Sequence, residues 1–84
     1  MTKSFTIKHK VFEFSDEDVE QVAAAMDYGS RGRVKLYTRI QDRLYPVRQL
    51  VVEMVRRKGE TMPDITTYQA IPVLRALGFQ IIEV

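Results

Sequence analysis

The sequence predicts an α+β fold in the order β-α-β-β-α-α-β, one small domain over residues 1–84 with a small sheet packed against three helices. Three observations carry that expectation. Residues 4–14 and 33–40 alternate apolar and polar side chains with a period of two, as half-buried strands do. Three later or intervening segments carry apolar residues at helical spacing, and Gly29, Gly59 and Gly78 stand at their ends. The chain closes on Phe79-Gln80-Ile81-Ile82-Glu83-Val84, where β-branched residues favour a last strand.

In the first strand Phe5, Ile7, His9 and Val11 alternate with Thr6, Lys8 and Lys10, while Phe12 and Phe14 fall on the opposite parity. A bulge or twist near Lys10 reconciles the two sets. His9 thereby falls on the apolar parity. The first helix opens with Ser15 as cap and Asp18 at the third helical position, a capping box, and Asp16-Glu17-Asp18 suits the positive end of its dipole. Phe14 and Val19 are placed to close a hydrophobic staple, and Val19, Val22, Ala23 and Met26 form the stripe that faces the core. After the turn at 29–32, Val34, Leu36, Thr38 and Ile40 point one way and Arg33, Lys35, Tyr37 and Arg39 the other. Gln41-Asp42-Arg43 turns the chain into the short return strand Leu44-Tyr45, making a hairpin. Pro46 suits the first position of the next helix, whose buried stripe is Val47, Leu50, Val51, Met54 and Val55. Thr66 and Gln69 form a second capping box for a helix through Leu77, with Pro72 inside it calling for a kink or a later start.

The bulk numbers narrow the function classes. The 84 residues are 45% hydrophobic and 29% charged, an ordinary balance for a folded domain, and cysteine is absent, which excludes disulfides, thiolate nucleophiles and Cys-based zinc sites. No apolar run approaches the length of a membrane span, and the first residues lack a signal-peptide pattern, so a cytoplasmic location without membrane attachment is expected. Net charge is a modest +2, but its distribution is uneven. Residues 31–60 hold nine Lys or Arg against three acids, whereas residues 1–30 hold three Lys against six acids and residues 61–84 one Arg against two. A concentrated basic segment raises the local potential and favours anionic partners.

Within that segment, Arg33, Lys35 and Arg39 surround Tyr37 on one strand face, with Arg43 near the strand end and Tyr45 and Arg48 just beyond. Cations at this spacing suit phosphates, and the aromatic rings suit stacking on a base or sugar. The same alternation also arises whenever Lys and Arg merely solvate the outer face of an antiparallel strand. Arg56-Arg57-Lys58 sits in a last helical turn, where the dipole favours cations, and Glu53 stands four residues before Arg57, the favourable spacing for a helical ion pair. His9 is the sole histidine and lacks partners at metal-ligand or acid–base spacing. The acids at 16–18 are explained by capping, and no phosphate-binding glycine loop or nucleophile elbow occurs. Neither a catalytic set, a metal site nor a cofactor is therefore expected.

From Tyr45 onward, Tyr45-Pro46-Val47-Arg48-Gln49-Leu50-Val51 and Leu74-Arg75-Ala76-Leu77-Gly78-Phe79 carry a resemblance. The stretch, about residues 45–84, resembles the small module of the sulfur-binding domains found with restriction-endonuclease domains. There a Tyr-Pro-x-Lys-Ala stretch opens a helix and a Leu-Arg-x-Leu-Gly-Phe stretch closes the module. In that family the Tyr, Pro and Ala help line a pocket for modified phosphate backbone. Tyr45 and Pro46 match, while Gln49 puts a larger polar side chain where the alanine stands. The resemblance implies association with DNA more than recognition of sulfur.

The expectation is a non-enzymatic nucleic-acid-binding module, with DNA favoured over RNA, that makes mainly phosphate contacts through Arg33, Lys35, Tyr37, Arg39, Arg43, Tyr45 and Arg48. The alternative is a small protein-interaction subunit, an adaptor or inhibitor, including a homodimer joined through an edge strand.

Overall fold

The computed structural model describes residues 2–26, 35–62 and 64–83. Its elements are β1 (Thr2–Ile7), β2 (Lys10–Ser15), α1 (Asp16–Ala25), β3 (Leu36–Ile40), β4 (Arg43–Pro46), α2 (Val47–Arg57), α3 (Thr67–Ala76) and β5 (Ile81–Glu83). The α+β class holds, with three helices and two small sheets, and the element order follows the sequence once the first β unit is taken as a hairpin. The turn at 29–32, the helix stop at Gly29 and the strand start at Arg33 lie outside the described residues.

That first unit differs from a single bulged strand. Lys8 and His9 both take positive φ, 51° and 70°, and reverse the chain so that Ile7 pairs with Lys10 and Phe5 with Phe12. Positive φ at both central residues gives the twist that a two-residue hairpin turn requires. The parity change in the sequence is thus a reversal. His9 is an exposed turn residue, not a packed one, and Val11 lies 69% exposed on the outer face. The inward face joins Phe5, Ile7, Phe12 and Phe14 into an aromatic-rich layer, with Phe12 and Phe14 stacked at 5.7 Å.

The helices begin and end where their capping residues stand. Ser15 Oγ accepts from the Asp18 amide at 3.1 Å while the Ser15 amide donates to Asp18 Oδ2 at 2.9 Å. Thr66 and Gln69 repeat that box at α3. Gly59 and Gly78, at φ of 92° and 93°, close α2 and α3: amides of Glu60 and Phe79 donate back to the Val55 and Leu74 carbonyls. Pro46 is the N-cap of α2 and not its first helical residue; at φ −60° and ψ 127° it also ends β4. α3 starts at Thr67 despite Pro72. Pro72 and Tyr68, one turn apart, are both exposed, so the carbonyl deprived of its donor lies toward solvent.

The larger sheet has strand order β4-β3-β5, all antiparallel. Thr38, Ile40 and Tyr45 are buried on its core face against α2, whose Val47, Leu50, Val51, Met54 and Val55 are all at or below 1% exposure. One apolar cluster includes residues from every strand and helix. At about 25 cal/mol per Å² of apolar area buried, it is the dominant stabilising term in a chain without staples. Among the described residues, no helix is long and apolar enough to cross a membrane.

Candidate nucleic-acid interface

The register of the central hairpin decides where its cations point. Gln41 and Asp42, at φ of 52° and 68°, form a two-residue turn that pairs Ile40 with Arg43, Arg39 with Leu44, Thr38 with Tyr45 and Tyr37 with Pro46. Directly opposed residues share a sheet face and successive ones alternate. Lys35, Tyr37, Arg39, Leu44 and Pro46 therefore lie on the outer face, together with Ile82, which opposes Tyr37 on β5. Arg43 lies on the other face, with Ile40, at the rim of the core.

Lys35, Arg39, Arg43 and Arg48 are all exposed; Arg33 lies outside the described residues. The two aromatic rings are not available. Tyr37 and Tyr45 are each only 3% exposed, so neither presents a ring face on which a base or sugar could stack. Tyr45 is buried because it opposes Thr38 on the core face. Tyr37 sits on the outer face, yet its cross-strand neighbours Pro46 and Ile82 are themselves buried and half-buried, making a second apolar patch around the ring. Alternation along one strand does not reveal such a patch, because it is built from two other strands.

The cations of the chain divide by partner. Lys8 Nζ binds Asp64 Oδ2 at 2.7 Å, Lys10 Nζ binds Glu60 Oε2 at 2.7 Å, and Lys58 Nζ lies 3.7 Å from Asp18 Oδ2 and 5.9 Å from the Phe14 ring centre. Arg56, not Arg57, takes Glu53, donating through Nη2 at 2.7 Å and Nε at 3.1 Å. Positions three and four apart are both neighbours on a helix, and the closer guanidinium fork fills the carboxylate. That pairing holds the Glu53 carboxyl below its usual pKa, and Lys8 does the same for Asp64. Arg48 Nε donates to the Ile65 carbonyl at 2.6 Å, tying the first turn of α2 to the segment before α3. Lys35 and Arg39, by contrast, have no ion-pair partner among the described residues.

A shallow cleft of about 450 Å³ lies between the end of α1 and the exposed face of α2, lined by Ala25, Met26, Arg48, Gln49, Val52, Glu53 and Arg56. Gln49, the position that departs from the sulfur-binding pattern, borders this cleft, whereas Tyr45 and Pro46 are buried and do not line it. Among the described residues no three His, Asp or Glu side chains cluster as metal ligands would. No family model matches the chain, and neither a curated protein nor a solved structure matches it.

Proposed function

We propose that the chain is a non-enzymatic, cytoplasmic nucleic-acid-binding module that grips phosphates with the cations of the β3–β4 hairpin and the start of α2. One observation carries this reading. Lys8, Lys10 and Lys58 pair with Asp64, Glu60 and Asp18, whereas Lys35 and Arg39 are exposed on one sheet face with no ion-pair partner among the described residues. Positive charge left uncompensated by the fold is what a polyanion neutralises. Arg43 and Arg48 add charge beside it, and Arg48 retains exposed surface while its Nε serves the backbone.

The test is a titration of labelled DNA and RNA across a salt series. Four phosphate contacts predict a slope of log affinity on log salt near −3.6, at about 0.9 for each phosphate neutralised on B-form DNA. The double substitution Lys35→Ala, Arg39→Ala should flatten that slope by about 1.8 on the same basis, with circular dichroism unchanged. Absence of binding at low salt refutes the proposal. A light-scattering mass of two copies in that same sample supports the edge-strand homodimer instead.

A further inference from the structure

The strand edges that the fold leaves open are not equivalent. β4 and β5 are four and three residues long, whereas β1 is six residues long and pairs with β2 alone among the described residues. The two-residue turn at Lys8 and His9 closes on Ile7 and Lys10, so Ile7, Phe5 and Lys3 direct their backbone N–H and C=O groups toward β2. Thr2, Ser4 and Thr6 alternate with them and direct theirs to the open side. All three are exposed, and no other described residue bonds their backbone there.

A cleft of about 240 Å³ runs beside that edge, lined by Phe5, Thr6 and Ile7 of β1 and by Gln69, Pro72 and Val73 of α3. Consecutive strand residues point to opposite faces, so a cleft that touches all three follows the edge itself and not one face. It is smaller than the roughly 300–1,000 Å³ of pockets for drug-sized ligands, and suits the side chains of a peptide. Phe5, Ile7, Pro72 and Val73 make it largely apolar. Tyr68, 83% exposed, stands one helical turn before Pro72.

We infer that this edge receives an extended segment of a partner protein, apolar with an acidic end, which adds antiparallel to β1 and seats an aliphatic side chain in the cleft against α3. Main-chain bonds to Ser4 and Thr6 supply affinity, and alternate side chains over the cleft supply selectivity. Charge defines the partner. Residues 2–10 hold Lys3, Lys8 and Lys10 and no acid. Lys8 and Lys10 are paired with Asp64 and Glu60, while Lys3 has no ion-pair partner among the described residues. An acid opposite Lys3 completes a cross-strand pair. A second copy of β1 brings only further lysines to the same ribbon, and edge lysines are a means by which strands resist pairing with themselves. β1 lies in the other sheet from Lys35 and Arg39, so this site stands independently of the phosphate-binding reading.

The experiment titrates isotope-labelled protein with the end-capped peptide Leu-Thr-Val-Thr-Glu, whose antiparallel register sets Leu opposite Ile7, Val opposite Phe5 and Glu opposite Lys3. NMR shifts and amide exchange read the result. Expected is slowed exchange at Ser4 and Thr6 with little change at Phe5 and Ile7, whose amides already bond β2. Replacing the peptide's Glu by Lys should weaken binding by about fivefold, as a cross-strand attraction becomes a repulsion. Ser4→Pro deletes an outward N–H and spares the β2 ladder, a place where an edge strand tolerates proline, so it should abolish peptide binding with circular dichroism unchanged. Tyr68→Ala should weaken peptide binding and leave DNA binding as it was. No shifts at millimolar peptide, shifts confined to Lys35 and Arg39, or full binding by Ser4→Pro overturns the inference. A light-scattering mass of two copies that Ser4→Pro reduces to one assigns the edge to self-pairing and also overturns it. Failure to bind DNA refutes the phosphate reading alone.

Discussion

Thr38 is the one buried polar side chain among the described residues, at 0% exposure, and its removal gives the sharpest test of how the larger sheet is held. Its hydroxyl donates to the Gln80 carbonyl at 2.8 Å, one residue before β5 begins. Substitution by valine keeps the volume, deletes that bond and leaves the Gln80 carbonyl short of a partner in a partly buried setting. The lost bond and its stranded acceptor cost about 1–3 kcal/mol. Burying a methyl group in place of the hydroxyl returns up to about 0.8 kcal/mol. The net is a loss of about 1 kcal/mol, which in a domain of this size lowers the melting temperature by about 4–8 °C. Thermal melts followed by circular dichroism measure it, with Thr38→Ser as control, since serine keeps the donor and loses only a methyl. DNA affinity at a temperature where both proteins are folded should be unchanged, because Thr38 faces the core and Arg39 the outside. A Thr38→Val protein as stable as the parent would show that the bond contributes nothing and that packing alone places β5.

Three other outcomes follow from the geometry. His9→Gly should raise stability by about 0.5 kcal/mol, because glycine adopts the positive φ of the β1–β2 turn without the steric cost of a Cβ, at some entropic expense in the unfolded chain; urea melts read it. Lys8 depresses the Asp64 pKa, so the pair's stabilisation is complete above the unfolded value of 3.8 and is lost as pH falls through the lower folded value. The stability gap between the parent and Asp64→Asn should accordingly be present at neutral pH and vanish on strong acidification. Arg48→Ala should cost about 1–3 kcal/mol from the charge-assisted bond to Ile65, measured by urea melts, as well as weakening DNA binding.

The helices were legible because their signals are local. Ser15 with Asp18, Thr66 with Gln69, and the glycines at 59 and 78 each act within one turn of chain, so the sequence states them directly. The first hairpin was not legible, because its turn is Lys8-His9 and not the Asn-Gly or Gly-containing pair that ordinarily announces positive φ. The Phe12 and Phe14 parity change was the available signal, and a reversal explains it better than a bulge: it also takes His9 out of the apolar layer. The second hairpin was readable despite an equally plain turn, Gln41-Asp42, since the alternation on its long strand sets a direction for the short one to follow.

The basic segment shows where counting charges stops being informative. Sequence proximity makes Arg56, Arg57 and Lys58 look like one cluster, yet Arg56 is held by Glu53 and Lys58 leans toward Asp18, forty residues away along the chain. An acid that distant can be assigned to a lysine only after the fold is known. What the alternation of residues 33–40 did convey was the outward direction of Lys35 and Arg39, and these two have no ion-pair partner among the described residues. Tyr37 obeys the same parity and is nonetheless buried, since parity assigns a face and neighbouring strands decide whether that face is covered. Arg48 is assigned both to the fold and to the interface, so loss of binding in its alanine variant has two causes. Lys35 and Arg39 carry no such double assignment. A polyanion that releases from their double variant while the melting curve stays fixed is held by charge and not by the integrity of the fold.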